Sequence, residues 1–151
     1  VKARAGGGVS TWDVAINPNG SWPLDRLKQV QAIGVATGTT KDETYASLIL
    51  VNDTDEGIVY DGNWTYAKDL KTGAYNQDVH KTEDNEASFS YRFTGKSIVL
   101  ATSKAPGQGN IELFIDGKSQ GILSINDFYK NQVQEIIFEK HDRGQEINTY
   151  L

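Results

Sequence analysis

The stretch Ala87–Gly95, "ASFSYRFTG", constrains the chain more tightly than any other. Ala87, Phe89, Tyr91 and Phe93 fall on one side of an alternation, and Ser88, Ser90, Arg92 and Thr94 on the other. A helix repeats its faces every three or four residues, so a period of two requires a strand with one face buried. Such a strand needs partners for its amides and carbonyls. "KSIVLAT" follows as a more uniformly apolar strand, and "NIELFIDGKSQGILSI" places Asp116-Gly117 between two β-type runs as a tight hairpin. "NQVQEIIFEK" reads as another strand, "HDRGQ" as a turn, and "EINTYL" begins one more. With two strands expected within 47–60, in "SLILVN" and "GIVY", about seven short strands follow residue 46. Polar, Gly-containing loops join them, and the predicted class is all-β, an antiparallel β-sandwich or jelly roll.

Residues 1–40 follow a different rule. A strand-like run, "GVSTWDVAI", leads through "NPNGSWP" into "LDRLKQVQAIGV", where Leu24, Leu27, Val30 and Ile33 recur every three residues. That spacing predicts a short amphipathic helix. Pro23 suits its first turn, Asp25 complements the positive end of its dipole, and Gly34 with Gly38 can end it. The expected organisation is a strand–loop–helix segment over 1–40 and a β-domain over 41–151. The 151 residues suffice for one domain with a hydrophobic core and are too few for two full-sized ones.

Composition narrows the partners. The net charge is −5 and no Lys/Arg run is present to neutralise a phosphate backbone, which argues against nucleic acid. No segment approaches the roughly 18 apolar residues of a membrane span, and "VKARAGGGVS" lacks the apolar core of a signal peptide. Without Cys there are no disulfides, thiolate nucleophiles or Cys-based zinc sites. Without any Met, the chain reads as a piece of something longer.

The order "NDTDEGIVYDGNWTY", "GAYNQDVHKTEDNEASFSYRFTGKSIVL", "KAPGQGNIELFIDGK" and "NQVQEIIFEK" resembles the galactose-binding-like β-sandwich modules of carbohydrate-active enzymes, over about residues 47–151. The shared pieces are a strand ending in Y-x-G-x-W, a "YN…H" segment, F-x-F-x-G before a paired strand, and a Gly-rich loop before the D-G hairpin. The sequence departs from that pattern after "EINTYL", where further strands usually close the sandwich. "GGGVSTWDVAINPNGSWPLDRLKQVQAIG" is similar to the final strand–loop–helix of α-L-fucosidase-like glycoside hydrolases. Alternatively, "VKARAGGGVSTWDVAI" supplies the closing strands that the sandwich lacks.

The resemblance implies a non-catalytic carbohydrate-binding module that holds an attached glycoside hydrolase near oligo- or polysaccharide, in a secreted or cell-surface protein. Sugar binding needs an aromatic face for the pyranose C–H patch and amide, carboxylate or imidazole groups for the hydroxyls. Trp64, Tyr66, Tyr75, Asn76 and His80 lie in or beside the 62–86 connection, and Lys104, Gln108 and Asn110 lie on a second loop. Each has a plain structural alternative: Trp64 can be a core or rim residue, His80 can bond a backbone carbonyl, and Lys104 can be a solvated charge. The family often holds a structural calcium, for which Asp53 and Asp55 of "NDTDEG" are the candidate ligands, with Gly57 easing the backbone. No other cofactor is implied.

Catalysis by the chain itself is not expected. Glycoside hydrolysis usually needs two carboxylates about 5 to 10 Å apart across a sugar, one with a raised pKa. Asp53, Asp55, Glu56 and Asp61 cluster at turns, where Asp is favoured for backbone hydrogen bonding. His80 and His141 are the two histidines, and no G-x-S-x-G elbow precedes either. Two further readings stand beside the module: a structural accessory sandwich packed on a catalytic domain, and a surface or phage-tail adhesin domain.

Overall fold

A computed structural model describes residues 16–42, 44–130 and 132–141, and the backbone of 147–150. The strand expected in "GVSTWDVAI" lies outside the described residues except for Ile16. The remainder is rich in strands with one α-helix, α1 (Leu24–Thr37). Leu24 is buried and Leu27, Val30 and Ile33 are half-buried, as the three-residue spacing predicts. Gly38 (φ 71°) ends the helix, its amide reaching the Val35 carbonyl at 3.0 Å while the Thr39 amide reaches Gly34 at 2.9 Å. This pair of bonds closes the terminus, and Gly34 lies inside the helix rather than at its end.

The strands are β1 (Ile58–Asp61), β2 (Thr65–Ala67), β3 (Val79–Lys81), β4 (Ser88–Gly95) and β5 (Ser97–Lys104), followed by β6 (Asn110–Ile115), β7 (Lys118–Ser124), β8 (Gln132–His141) and β9 (Ile147–Tyr150). All their pairings are antiparallel: β4 lies between β1 and β9, and β2 pairs with β3, β5 with β8 and β6 with β7. The alternation in β4 is obeyed, with Phe89, Tyr91 and Phe93 turned inward and Ser88, Ser90, Arg92 and Thr94 exposed. At the β6–β7 turn, Asp116 (φ 51°) and Gly117 (φ 72°) are both left-handed, as a two-residue type I′ hairpin demands. Ile98 of β5 and Ile115 of β6 form the centre of the core, with Phe93 of β4 and Phe138 of β8 packed against them. Three of the four strand groups therefore contribute to one apolar cluster.

Two expectations fail locally. "SLILVN" forms no strand, and Ile49 is 89% exposed. Helix side chains take the backbone bonds that a ladder would need: Lys28 Nζ donates to the Ala46 carbonyl at 2.7 Å and also to the Leu48 carbonyl, and Gln31 Oε1 accepts from the Tyr45 and Ala46 amides. Conversely, the 62–86 connection is not all loop, because β2 and β3 make a hairpin stem within it.

Strand β8 positions the rest. Its register with β5 shifts twice, and at the second shift Gln134 adopts φ 49°, the left-handed geometry of a bulge. The N-terminal segment docks there through Asn17, which is 3% exposed. Its Oδ1 accepts from the Val133 amide and its Nδ2 donates to the Val133 carbonyl, each at 3.0 Å, so the side chain pairs with this backbone as a neighbouring strand would.

Candidate functional site

The predicted site residues divide among three places. The first is an aromatic cluster at the stem of the β2–β3 hairpin. Tyr60 of β1 stacks on His80 of β3 with 4.4 Å between centroids, and Tyr66 of β2 leans on the same imidazole at 4.9 Å. Trp64 lies 4.9 Å from Tyr60 and meets Phe89 edge-on at 6.2 Å. Its indole N–H donates back to the Asp61 carbonyl at 2.8 Å, and the ring is half-buried. The chain can make this return because Gly62 holds φ 88° in a spot where a Cβ would lie 2.9 Å from Ala87 Cα. Trp64 is thus a rim-packing residue, and Tyr66, 46% exposed, is the aromatic of this group with most surface in solvent.

Carboxylates hold the cluster. Asp53 Oδ2 meets His80 Nδ1 at 3.0 Å and also accepts from the His80 amide. Asp78 accepts from the Tyr66 hydroxyl at 3.1 Å and from Asn52 Nδ2. The Tyr60 hydroxyl donates to the Asp53 carbonyl at 2.8 Å, and its pKa is pushed up to about 12, chiefly by burial and then by the Asp53 and Asp78 charges. The Tyr66 phenol is also raised, by desolvation first and by the Asp78 bond second.

Asp53 Oδ2 is accordingly taken by His80 while its Oδ1 is buried without a hydrogen-bond partner, and Asp55 Oδ1 accepts from the Gly57 amide at 2.8 Å. Among the described residues no group of three or more His, Asp or Glu side chains converges to hold a metal ion.

The second place is an open cleft of about 490 Å³ between the hairpin tip, the first turn of α1 and β8. Tyr75 and Asn76 line it, as do Gln77 and, from the two other elements, Arg26 and Gln134. Gln134 joins the walls: its Oε1 accepts from the Asp25 amide at 3.1 Å and its Nε2 donates to the Gly73 carbonyl at 3.0 Å. Gly73, at φ 88°, lets the tip settle on β8, since a Cβ there would come 3.1 Å from Val133 Cγ2. Asn76 (φ 52°), Gln77 (φ 61°) and Gln134 (φ 49°) are left-handed without being glycine. Three such residues around one cleft concentrate backbone strain where polar side chains converge, as strain does at ligand sites. A half-buried phenol ring beside several amides and charged groups offers stacking and hydroxyl recognition together.

The third place is the 104–110 loop, whose residues do not line the cleft. Lys104 pairs with Asp127 at 3.7 Å, and Asn110 opens β6 opposite Ser124. The Gln108 amide donates to the Ala105 carbonyl at 3.3 Å, closing the loop on itself. Sequence reasoning missed Arg26, Gln77 and Gln134. Arg26 and Gln134 sit in regular elements, and only the docking of Asn17 and the β8 bulge brings them to the hairpin tip.

Comparison of the chain with family models, with curated proteins and with solved structures found no match to any of them.

Proposed function

We propose that the chain is a non-catalytic carbohydrate-binding module built on an antiparallel β-sandwich, and that its sugar site is the cleft at the β2–β3 hairpin tip. The sandwich reading is supported by the core, where residues of β4, β5, β6 and β8 meet. The observation that carries the functional reading is the cleft lining: Tyr75 as an aromatic platform, with Asn76, Gln77 and Gln134 as amide donors and acceptors. Amides serve hydroxyls well because each supplies both a donor and an acceptor. Tyr66 is a second exposed aromatic on the stem of the same hairpin. Trp64 and His80 support the stem through packing.

Affinity in so open a cleft is modest, because few ligand atoms are buried and hydroxyls give up water to bind. The biological role would be to hold an attached glycoside hydrolase near its glycan, in a secreted or cell-surface protein. A glycan array probed with the full chain tests the reading. Binding to a defined glycan group, lost in Tyr75→Ala, supports it; a blank array from folded protein contradicts it.

The accessory-sandwich reading has one observation in its favour. Ile16 and Trp22, which flank the docked Asn17, are 56% and 40% exposed. Exposed apolar groups at that end of the chain suit packing against another domain.

A further inference from the structure

The charge of the cleft carries the carbohydrate-binding reading further, to a ligand class. Arg26 and Lys71 line it against one carboxylate, Asp25, so two positive charges less one negative leave +1 in a chain of net charge −5. Arg26 sits in the first turn of α1, where the positive end of the helix dipole disfavours a cation. Its ionic contact among the described residues is with the adjacent Asp25, 3.9 Å from Nε, and its side chain is 47% exposed. A contact that long in solvent screens the guanidinium little. Lys71 is exposed and forms no ion pair among the described residues. By contrast Lys104, a cation outside the cleft, is paired with Asp127. The cleft therefore gathers a planar fork of donors, a free ammonium and the positive end of a helix beside an aromatic ring.

Resting on the carbohydrate-binding reading, we propose that the cleft selects anionic glycans. A carboxylate or sulfate on the sugar is held by Arg26 and Lys71 while the pyranose ring lies on Tyr75 and its hydroxyls meet Asn76 and Gln77. The guanidinium matches either anion, because both present paired oxygens to its parallel N–H groups.

Titration calorimetry of the full chain against three hexasaccharides tests this: neutral maltohexaose, hexagalacturonate and a sulfated maltohexaose. The expected result is that at least one anionic sugar binds roughly tenfold more tightly than the neutral one at low salt, with the advantage shrinking as salt screens it. A carboxylate preference and a sulfate preference both support the proposal, and the stronger arm identifies the anion. Arg26→Ala and Lys71→Ala each reduce anionic affinity roughly fivefold, and the loss is larger for the anionic sugars than for the neutral one. Both positions are on the surface, and circular dichroism verifies their folding. Equal affinity for all three sugars, or anionic binding that survives the double substitution, overturns the selectivity while sugar binding stands. No binding to any of the three, together with a blank array, overturns the carbohydrate reading itself.

Discussion

His80 lies flat against Tyr60 at 4.4 Å, and Asp53 holds its Nδ1 at 3.0 Å. The stem of the β2–β3 hairpin is thereby fixed to β1 and to the turn before it, and a fixed stem fixes the tip that forms one wall of the cleft.

Asp53→Ala removes the tether of His80. Two hydrogen bonds are lost from a part-buried position, and the expected cost is about 1–3 kcal/mol. Urea unfolding measures the loss, and faster amide exchange across residues 65–67 and 79–81 locates it. An unchanged midpoint would mean that the stem is held by ring packing alone.

Tyr60 gives the fold an alkaline limit. Its phenol is raised from an ordinary value of 10.0 to about 12, so the folded state prefers the protonated form. The associated stability is fully present below pH about 10 and disappears as pH rises through about 12. Absorbance at the phenolate band should show late-ionising tyrosine, and Tyr60→Phe should remove the part that titrates last. That variant also leaves the Asp53 carbonyl without its 2.8 Å donor, at about 1 kcal/mol.

Asn17→Ala tests how the N-terminal segment is docked. The substitution unpairs both the amide and the carbonyl of Val133, and the expected loss is about 2–4 kcal/mol. Because Val133 adjoins Gln134, loop 70–77 should also exchange its amides faster. Stability and exchange equal to the parent chain would show that docking relies on other contacts.

Gly62 and Gly117 both have positive φ, 88° and 72°, but only Gly62 is crowded by Ala87. Gly117→Ala should cost about 1 kcal/mol, from backbone strain. Gly62→Ala adds a clash with backbone and should cost clearly more, and thermal unfolding of the pair measures the difference. Equal losses would mean that the chain relaxes around residue 62.

Features governed by short-range rules were legible in the sequence. The period of β4, the apolar spacing of α1, the Gly38 terminus and the Asp116-Gly117 hairpin each rest on contacts within a few residues. "SLILVN" misled because its alternatives were distant: Lys28 takes the Leu48 carbonyl within it and the Ala46 carbonyl just before it, and Gln31 takes the Tyr45 and Ala46 amides. The three-residue strands β2 and β3 are too short to carry a period. Of the cleft lining, Tyr75 and Asn76 were legible as loop residues. Gln134 was not, since nothing in "NQVQEIIFEK" marks a bulge, and nothing in the apolar spacing of α1 singles out Arg26. Trp64 was legible as a residue with two possible fates, and its bond to Asp61 with its contact to Phe89 puts it at the rim.

Sugar binding in the cleft, as proposed, is read residue by residue from amide shifts in nuclear magnetic resonance during a glycan titration. The expected result is that residues 70–77, Arg26 and Gln134 shift together and saturate along one curve, while residues 104–110 do not move. Saturable shifts confined to residues 104–110, or none at any glycan concentration, would contradict it.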